Sequence, residues 1–340
     1  MGRNNKAYSK DLHQQAYDRL KGMQAFGESK KAAMAEGTAG DKIFSFNTYK
    51  TYWKHIKYFL AYVKETHPEI TTLKKAKKYV PEWLQSRVDQ NLSAWTVQTE
   101  EAALNKLYGI QVDDPDRFQA PKRKREDIKR SRTTTVRDKH FSVTNNDELI
   151  KFCKGTGVRR SELVALQGSD IASRTQLEDR LKALESIRDQ GLSQEQLGQV
   201  SMLKDALMFQ NEYFIYVRNG KGGRQRLSPI IGPNATQIIE RIKNTPPDEK
   251  VWQHVSSNAD IHGYRAEYAT AIYKANARKL EDIPFDKVNK GTGNKYQSEV
   301  YTCRKDESGR KLDKAAMLLC SKALGHNRIY IVADNYLRGM

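Results

Sequence analysis

The sequence predicts a mostly α-helical protein with a small β-sheet (α+β), organised as an all-α domain followed by a mixed domain. Three observations predict this. Apolar residues recur at three- and four-residue steps through most of the chain. Two short apolar runs, Tyr213 to Val217 and Arg226 to Ile231, flank an Asn219-Gly220 turn and read as paired strands. A tract rich in proline and basic residues separates two stretches of a 340-residue chain, each long enough to bury a core.

Residues 1–40 read as an N-terminal arm or appended helix, polar and weakly periodic until Gly37 and Gly40 break the pattern. Residues 41–112 form the all-α domain. Tyr49, Tyr52, Trp53, Ile56, Phe59, Leu60 and Val63 make one helical stripe, with Asn47 or Thr48 as the cap and Lys50, Lys54, Lys57 and Lys64 mostly off it. Further helices are expected over 72–79, from Pro81, which is harmless in a first turn, and over 93–108, burying Val97, Leu104 and Leu107. Residues 113–140 form a basic linker carrying Pro115, Pro121, Lys122, Arg123, Lys124, Arg125, Lys129, Arg130 and Arg132. Such a tract is read here as DNA-tracking, although a solvated tether or a localisation signal has the same composition.

The second domain spans 141–340. Thr144 or Asn145 caps a helix with Leu149, Ile150 and Phe152, which Gly155-Thr156-Gly157 ends. The next begins near Arg160 with Leu163, Val164 and Leu166 on one face. Residues from about 174 to 210 read as a charged helical hairpin inserted at the surface. After the two strands come helices at about 234–244, 262–280 and 313–324, then a short C-terminal helix. A second insertion, about 281–312, is expected to hold a small hairpin from Tyr296 to Lys311 turning at Ser308-Gly309.

Lys and Arg number 59 against 41 Asp and Glu, a formal charge of +18, so a polyanionic partner is expected. An anionic membrane surface is the rival, but the chain has no run near twenty apolar residues, and Met1-Gly2-Arg3-Asn4-Asn5 opens no signal peptide. Cys153, Cys303 and Cys320 are odd in number and widely spaced, which argues against a disulfide framework or a zinc site and for a reducing, cytoplasmic setting.

Four short motifs carry the chemistry. Thr156-Gly157-Val158-Arg159-Arg160-Ser161-Glu162-Leu163 throws Arg159 onto a helix start, where it and backbone N–H groups can face a phosphate, with Glu162 one turn on as a buttress. Val217-Arg218-Asn219-Gly220-Lys221-Gly222-Gly223-Arg224 presents Lys221 at a hairpin tip, able to donate a proton to a leaving alkoxide. His262-Gly263-Tyr264-Arg265 opens a helix with the imidazole and guanidinium three residues apart. Ala323-Leu324-Gly325-His326 ends a helix ahead of Tyr336. Each alone is commonplace: a surface Arg–Glu pair, a solubilising turn lysine, a locally bonded histidine, a half-buried tyrosine. The Lys221 turn also lacks the Gly-x-x-x-x-Gly-Lys-Ser/Thr pattern of a nucleotide loop.

In this order the motifs resemble those of the tyrosine recombinases, the phage integrase family, over roughly residues 141–340. On pattern alone, residues 45–110 look like that family's core-binding domain. The resemblance implies a catalytic domain in which Arg159 and Arg265 clamp the scissile phosphate, Lys221 is the general acid, His262 and His326 complete the phosphate site, Glu162 supports it and Tyr336 is the nucleophile. Arg160 faces a different helical direction and is the lesser candidate for the clamp. The resemblance further implies site-specific strand exchange on double-stranded DNA through a 3′-phosphotyrosine, with neither metal nor other cofactor. It implies a homo-tetramer assembled on DNA, an accessory directionality factor, and a mobile element such as a phage or integrative transposon in a bacterial-type cytoplasm. A topoisomerase or hairpin resolvase sharing the nucleophile, or a non-catalytic DNA-binding relative, are the alternatives. Two departures stand out. His326 and Tyr336 are ten residues apart where nine is usual, a helical rotation of about 100°. Only four residues follow Tyr336, where many relatives have a further C-terminal helix that docks on a neighbouring subunit; any such contact here is expected from the tyrosine-bearing segment itself. Tyr330 is the competing nucleophile.

Overall fold

A computed structural model describes residues 10–115, 117–124, 141–187, 191–221, 223–304, 307–326 and 328–339. The chain divides into two compact units, 1–129 and 130–340. Arg125, Lys129, Arg130 and Arg132 of the basic tract lie outside the described residues, whereas Lys122, Arg123 and Lys124 are exposed.

Among the described residues the first unit is built on helices, α1 (Leu12–Gly22), α2 (Lys30–Ala35), α3 (Phe46–Thr66), α4 (Leu73–Ala76), α5 (Val80–Asp89) and α6 (Ala94–Tyr108). The segment expected as an arm or appended helix is helical, and its α1 is part of the core. Leu12, Ala16 and Leu20, four residues apart, form a buried stripe on α1 that packs with Ile56, Phe59, Leu60 and Val63 of α3. The α3 cap is Ser45, whose Oγ accepts from Thr48 N at 3.1 Å, rather than Asn47 or Thr48. Lys50, Lys54 and Lys57 are exposed on α3 and lie over the Phe46, Tyr58 and Trp53 rings. Pro81 occupies the first turn of α5.

The second unit is helical around a three-stranded antiparallel sheet, β1 (Ile171–Ser173), β2 (Tyr213–Val217) and β3 (Arg226–Pro229), in the order β1-β2-β3. β2 alternates as a strand with two covered faces must. Phe214 joins one core, while Ile215 and Val217 join another. The second core is closed by α7 (Asp147–Thr156), α8 (Arg160–Ala165) and α11 (Ala235–Lys243). The first is closed by α9 (Arg174–Ser186), α10 (Gln194–Leu207), α12 (Ile261–Asn276), α13 (Lys314–Leu324) and α14 (Tyr330–Asn335). The 174–210 hairpin is therefore no surface addition: Leu177, Leu184, Leu203, Ala206 and Phe209 are buried with Met317 and Leu324.

Other details depart from the sequence reading. A 3-10 turn at Thr144–Asn146 precedes α7 in place of a Thr144 or Asn145 cap, and β3 ends at Pro229. Val164 is 41% exposed, because α8 is short and turns Glu162 and Leu163 inward. The 281–312 segment holds two hairpins: β4 (Lys287–Val288) pairs β5 (Lys295–Tyr296), and β6 (Val300–Thr302) pairs β7 (Lys311–Asp313). Among the described residues no helix is long and apolar enough to cross a membrane.

Candidate active site

Four chain segments meet at the ends of two helices. α7 ends at Gly157 and α13 at Gly325, both in the left-handed region, so each helix directs its last carbonyls into the same space. Arg265, on the first turn and a half of α12, is fully buried there. Its Nη1 donates to Gly157 O and its Nη2 to Leu324 O, so the guanidinium rests between the negative ends of two helices. Arg159 Nη2 donates to the same Leu324 O at 3.3 Å. The two arginines are thereby held side by side by one backbone oxygen.

Glu162 anchors Arg159 twice, accepting from its backbone N at 2.7 Å and from Nη1 at 2.6 Å. Arg160 turns away and donates to Ser256 O at 2.6 Å and Ala259 O at 2.7 Å, tying down the loop before α12. Burial acts to raise the Glu162 pKa, but the Arg226 and Arg159 guanidiniums more than offset it and hold the carboxyl at about 2. Burial and the field of Arg226 and Arg159 push Arg265 down to about 10.

The ten-residue step from His326 to Tyr336 is absorbed locally. α14 is only six residues long, and Tyr336 follows it with non-helical angles, φ −126° and ψ −34°. Its hydroxyl lies 3.4 Å from His326 Nε2 and 3.4 Å from Arg265 Nε, and its ring centroid 5.6 Å from Arg265 Cζ. Burial first, then the charges of Arg265, Arg159, Arg226 and Lys221, drive the His326 pKa down to about 3, so its imidazole is neutral at pH 7. Tyr330 is 39% exposed, and its hydroxyl accepts from Arg328 at 3.0 Å.

A cleft of about 420 Å³ opens beside this group, lined by Arg159, Lys221, Arg224, Arg226, Lys322 and His326 and walled by Gly198, Ser201, Met202 and Asp205 of α10. Lys221 is exposed at the turn between β2 and β3, where Gly220 N donates to Arg224 O at 2.8 Å. The structure thus brings Arg159, Glu162, Arg265, His326 and Tyr336 into one bonded cluster and puts Lys221 on the adjoining cleft. His262 is exposed at the first turn of α12 and is not part of the cleft lining. Among the described residues no group of three or more His, Cys, Asp or Glu is placed to hold a metal ion.

One residue at this site was not singled out from the sequence. Arg226 is 5% exposed and grips Glu162 with two bonds, of 2.9 and 2.6 Å. The signal was available: Arg226 and Ser228 are polar residues two apart in a short strand, hence on one face.

No family model matches the sequence, and no curated protein matches it. Among solved structures it is similar to the crystal structure of XerA recombinase, at 15% identity over 94% of this chain and 92% of that one, with a TM-score of 0.25. A likeness at that score carries no argument about fold or activity.

Proposed function

We propose that the protein is a DNA strand-transfer enzyme of the tyrosine recombinase type, cutting and rejoining double-stranded DNA through Tyr336. One observation carries the reading: a tyrosine hydroxyl within 3.4 Å of both a neutral imidazole and a buried guanidinium, beside a cationic cleft.

The chemistry follows from the charges. Attack on a phosphodiester builds negative charge on the non-bridging oxygens. Arg159, with part of its guanidinium open to the cleft, offers N–H donors to them; a single donor of this kind is worth about 3 kcal/mol. Arg265, whose terminal nitrogens are engaged by carbonyls, contributes through its charge. A phenol of reference pKa near 10 keeps its proton at pH 7. With the anionic phosphate offsetting the arginine charges that depress its pKa, His326 Nε2 accepts that proton as the Tyr336 oxygen bonds to phosphorus. The bond to the 5′ oxygen breaks, and Lys221 protonates the leaving alkoxide. The products are a 3′-phosphotyrosine and a free 5′-hydroxyl. Reversal by a different 5′-hydroxyl joins a new partner strand, with bond energy conserved and no ATP consumed. The excess of 59 basic over 41 acidic residues supports the polyanionic substrate. A working homo-tetramer on two duplexes, an accessory directionality factor and service to a mobile element belong to the same proposal.

Nicked duplexes tiling the DNA that flanks the gene provide the test. Cleavage near the nick lets the short 5′ fragment diffuse away and traps the protein on DNA. A covalent adduct with wild type and none with Tyr336→Phe is the expected result. Salt-sensitive binding without any adduct points instead to a non-catalytic DNA-binding protein, and supercoil relaxation without strand exchange to a topoisomerase.

A further inference from the structure

Arg226 touches three of the segments that build the cleft. Through its two bonds to Glu162 it acts on Arg159, which the same carboxylate holds by backbone and side chain. Its Nε donates at 3.2 Å to Ala323 O, in the last turn of α13, just ahead of His326. Ser228 Oγ, itself 3.2 Å from that Nε, donates to the same carbonyl at 2.6 Å. The aliphatic part of Arg226 fills the space beside Gly325. A Cβ at residue 325 would stand 2.8 Å from Arg226 Cδ, and its φ of 67° independently demands glycine. At the other end Gly220, preceding Lys221, is packed so closely that a Cβ there would lie 3.3 Å from Arg226 Nη1 and 3.5 Å from Glu162 Oε1. A buried side chain whose contacts reach three of the motifs does more than fill a core.

We propose that Arg226 is a positioning residue that sets Arg159, the Lys221 turn and His326 in register with one another; this rests on the strand-transfer reading. Its guanidinium is taken up by Glu162, Ala323 O and Ser228, so it acts through them. A guanidinium is required because only a planar fork can grip both Glu162 oxygens with its terminal nitrogens while Nε reaches Ala323 O. Lysine retains the charge and loses the fork.

The experiment compares wild type, Arg226→Lys and the neutral pair Glu162→Gln with Arg226→Met. The readouts are melting temperature, equilibrium binding to an intact duplex, and the single-turnover rate of adduct formation on the nicked duplexes. Misplacement of reacting groups by about 1 Å costs roughly a hundredfold in rate. We expect Arg226→Lys to form adduct about a hundredfold more slowly with duplex affinity unchanged. The neutral pair removes the buried Arg226 and Glu162 charges together, leaving Arg159 its bond to Leu324 O, and regains the wild-type melting temperature and not the rate. Adduct formation by Arg226→Lys at the wild-type rate overturns the proposal. So does recovery of rate together with stability in the neutral pair, since Arg226 would then serve folding alone. A wild type that forms no adduct overturns the strand-transfer reading and this proposal with it, whereas an active wild type beside an equally active Arg226→Lys overturns only the proposal.

Discussion

The His326 Nε2 and the Tyr336 hydroxyl lie 3.4 Å apart in the same unit of one chain, with their rings tilted 44° to each other. Ten residues of sequence separate them, and a short helix followed by one non-helical residue closes the gap. The two side chains are therefore brought together by the local fold.

That contact separates the two tyrosines. Tyr336→Phe removes the proposed nucleophile and is expected to abolish the adduct. Tyr330→Phe trims an exposed hydroxyl held by Arg328, and adduct formation should stay within about twofold of wild type. Denaturing gels after incubation with nicked duplex read both. An adduct in Tyr336→Phe that disappears in Tyr330→Phe would reverse the assignment.

His326 predicts a pH dependence of stability. Its folded pKa, about 3, lies below the ordinary value of 6.5. Below pH 6.5 the unfolded chain takes up a proton that the folded one refuses, so stability is fully present above 6.5 and is lost as pH falls toward 3. The loss from this group is at most about 1.4 kcal/mol per pH unit. His326→Gln should match the wild-type trend above pH 7 and decline less steeply between 6.5 and 4. Parallel curves in thermal melts across that range would contradict it.

Lys221 stands on the cleft, and the proposed reaction makes it the donor to the leaving 5′ oxygen. Lys221→Ala should slow cleavage by about 10²–10⁴-fold. A sulfur in place of the bridging 5′ oxygen departs as a thiolate, whose conjugate acid has a pKa near 8.5, and needs no general acid. Rapid-quench rates on such a duplex should then be nearly equal for variant and wild type. A defect that persists with sulfur would assign Lys221 to binding.

Arg123 lies over the Trp95 ring at 5.7 Å, between two further exposed lysines. If Lys122, Arg123 and Lys124 each neutralise one phosphate, changing all three to alanine lowers the slope of log affinity against log salt by about 2.7. Fluorescence anisotropy from low to moderate salt measures it. An unchanged slope would make this tract a tether.

Much of the fold was legible in the chain because periodicity is a local property. The stripe from Tyr49 to Val63 and the alternation from Tyr213 to Val217 each specify an element before any tertiary contact exists. The same holds for the left-handed glycines Gly157 and Gly325, which end their helices beside motif residues. Errors fell where burial depends on a partner. The weak stripe of α1 and the charged sequence of α9 and α10 look like surface until α3 in one unit, and β3 and α13 in the other, are there to cover them.

By itself the sequence determined which side chains of catalytic type exist, on which elements and in what order, because spacing along a helix or hairpin needs no distant contact. Only the tertiary structure decided which of them meet. Leu324 O gathers Arg159 and Arg265, residues 165 and 59 positions away in the chain, and a backbone carbonyl has no signature in a sequence. The same packing neutralises His326, since burial and surrounding positive charge arise only when separate segments converge.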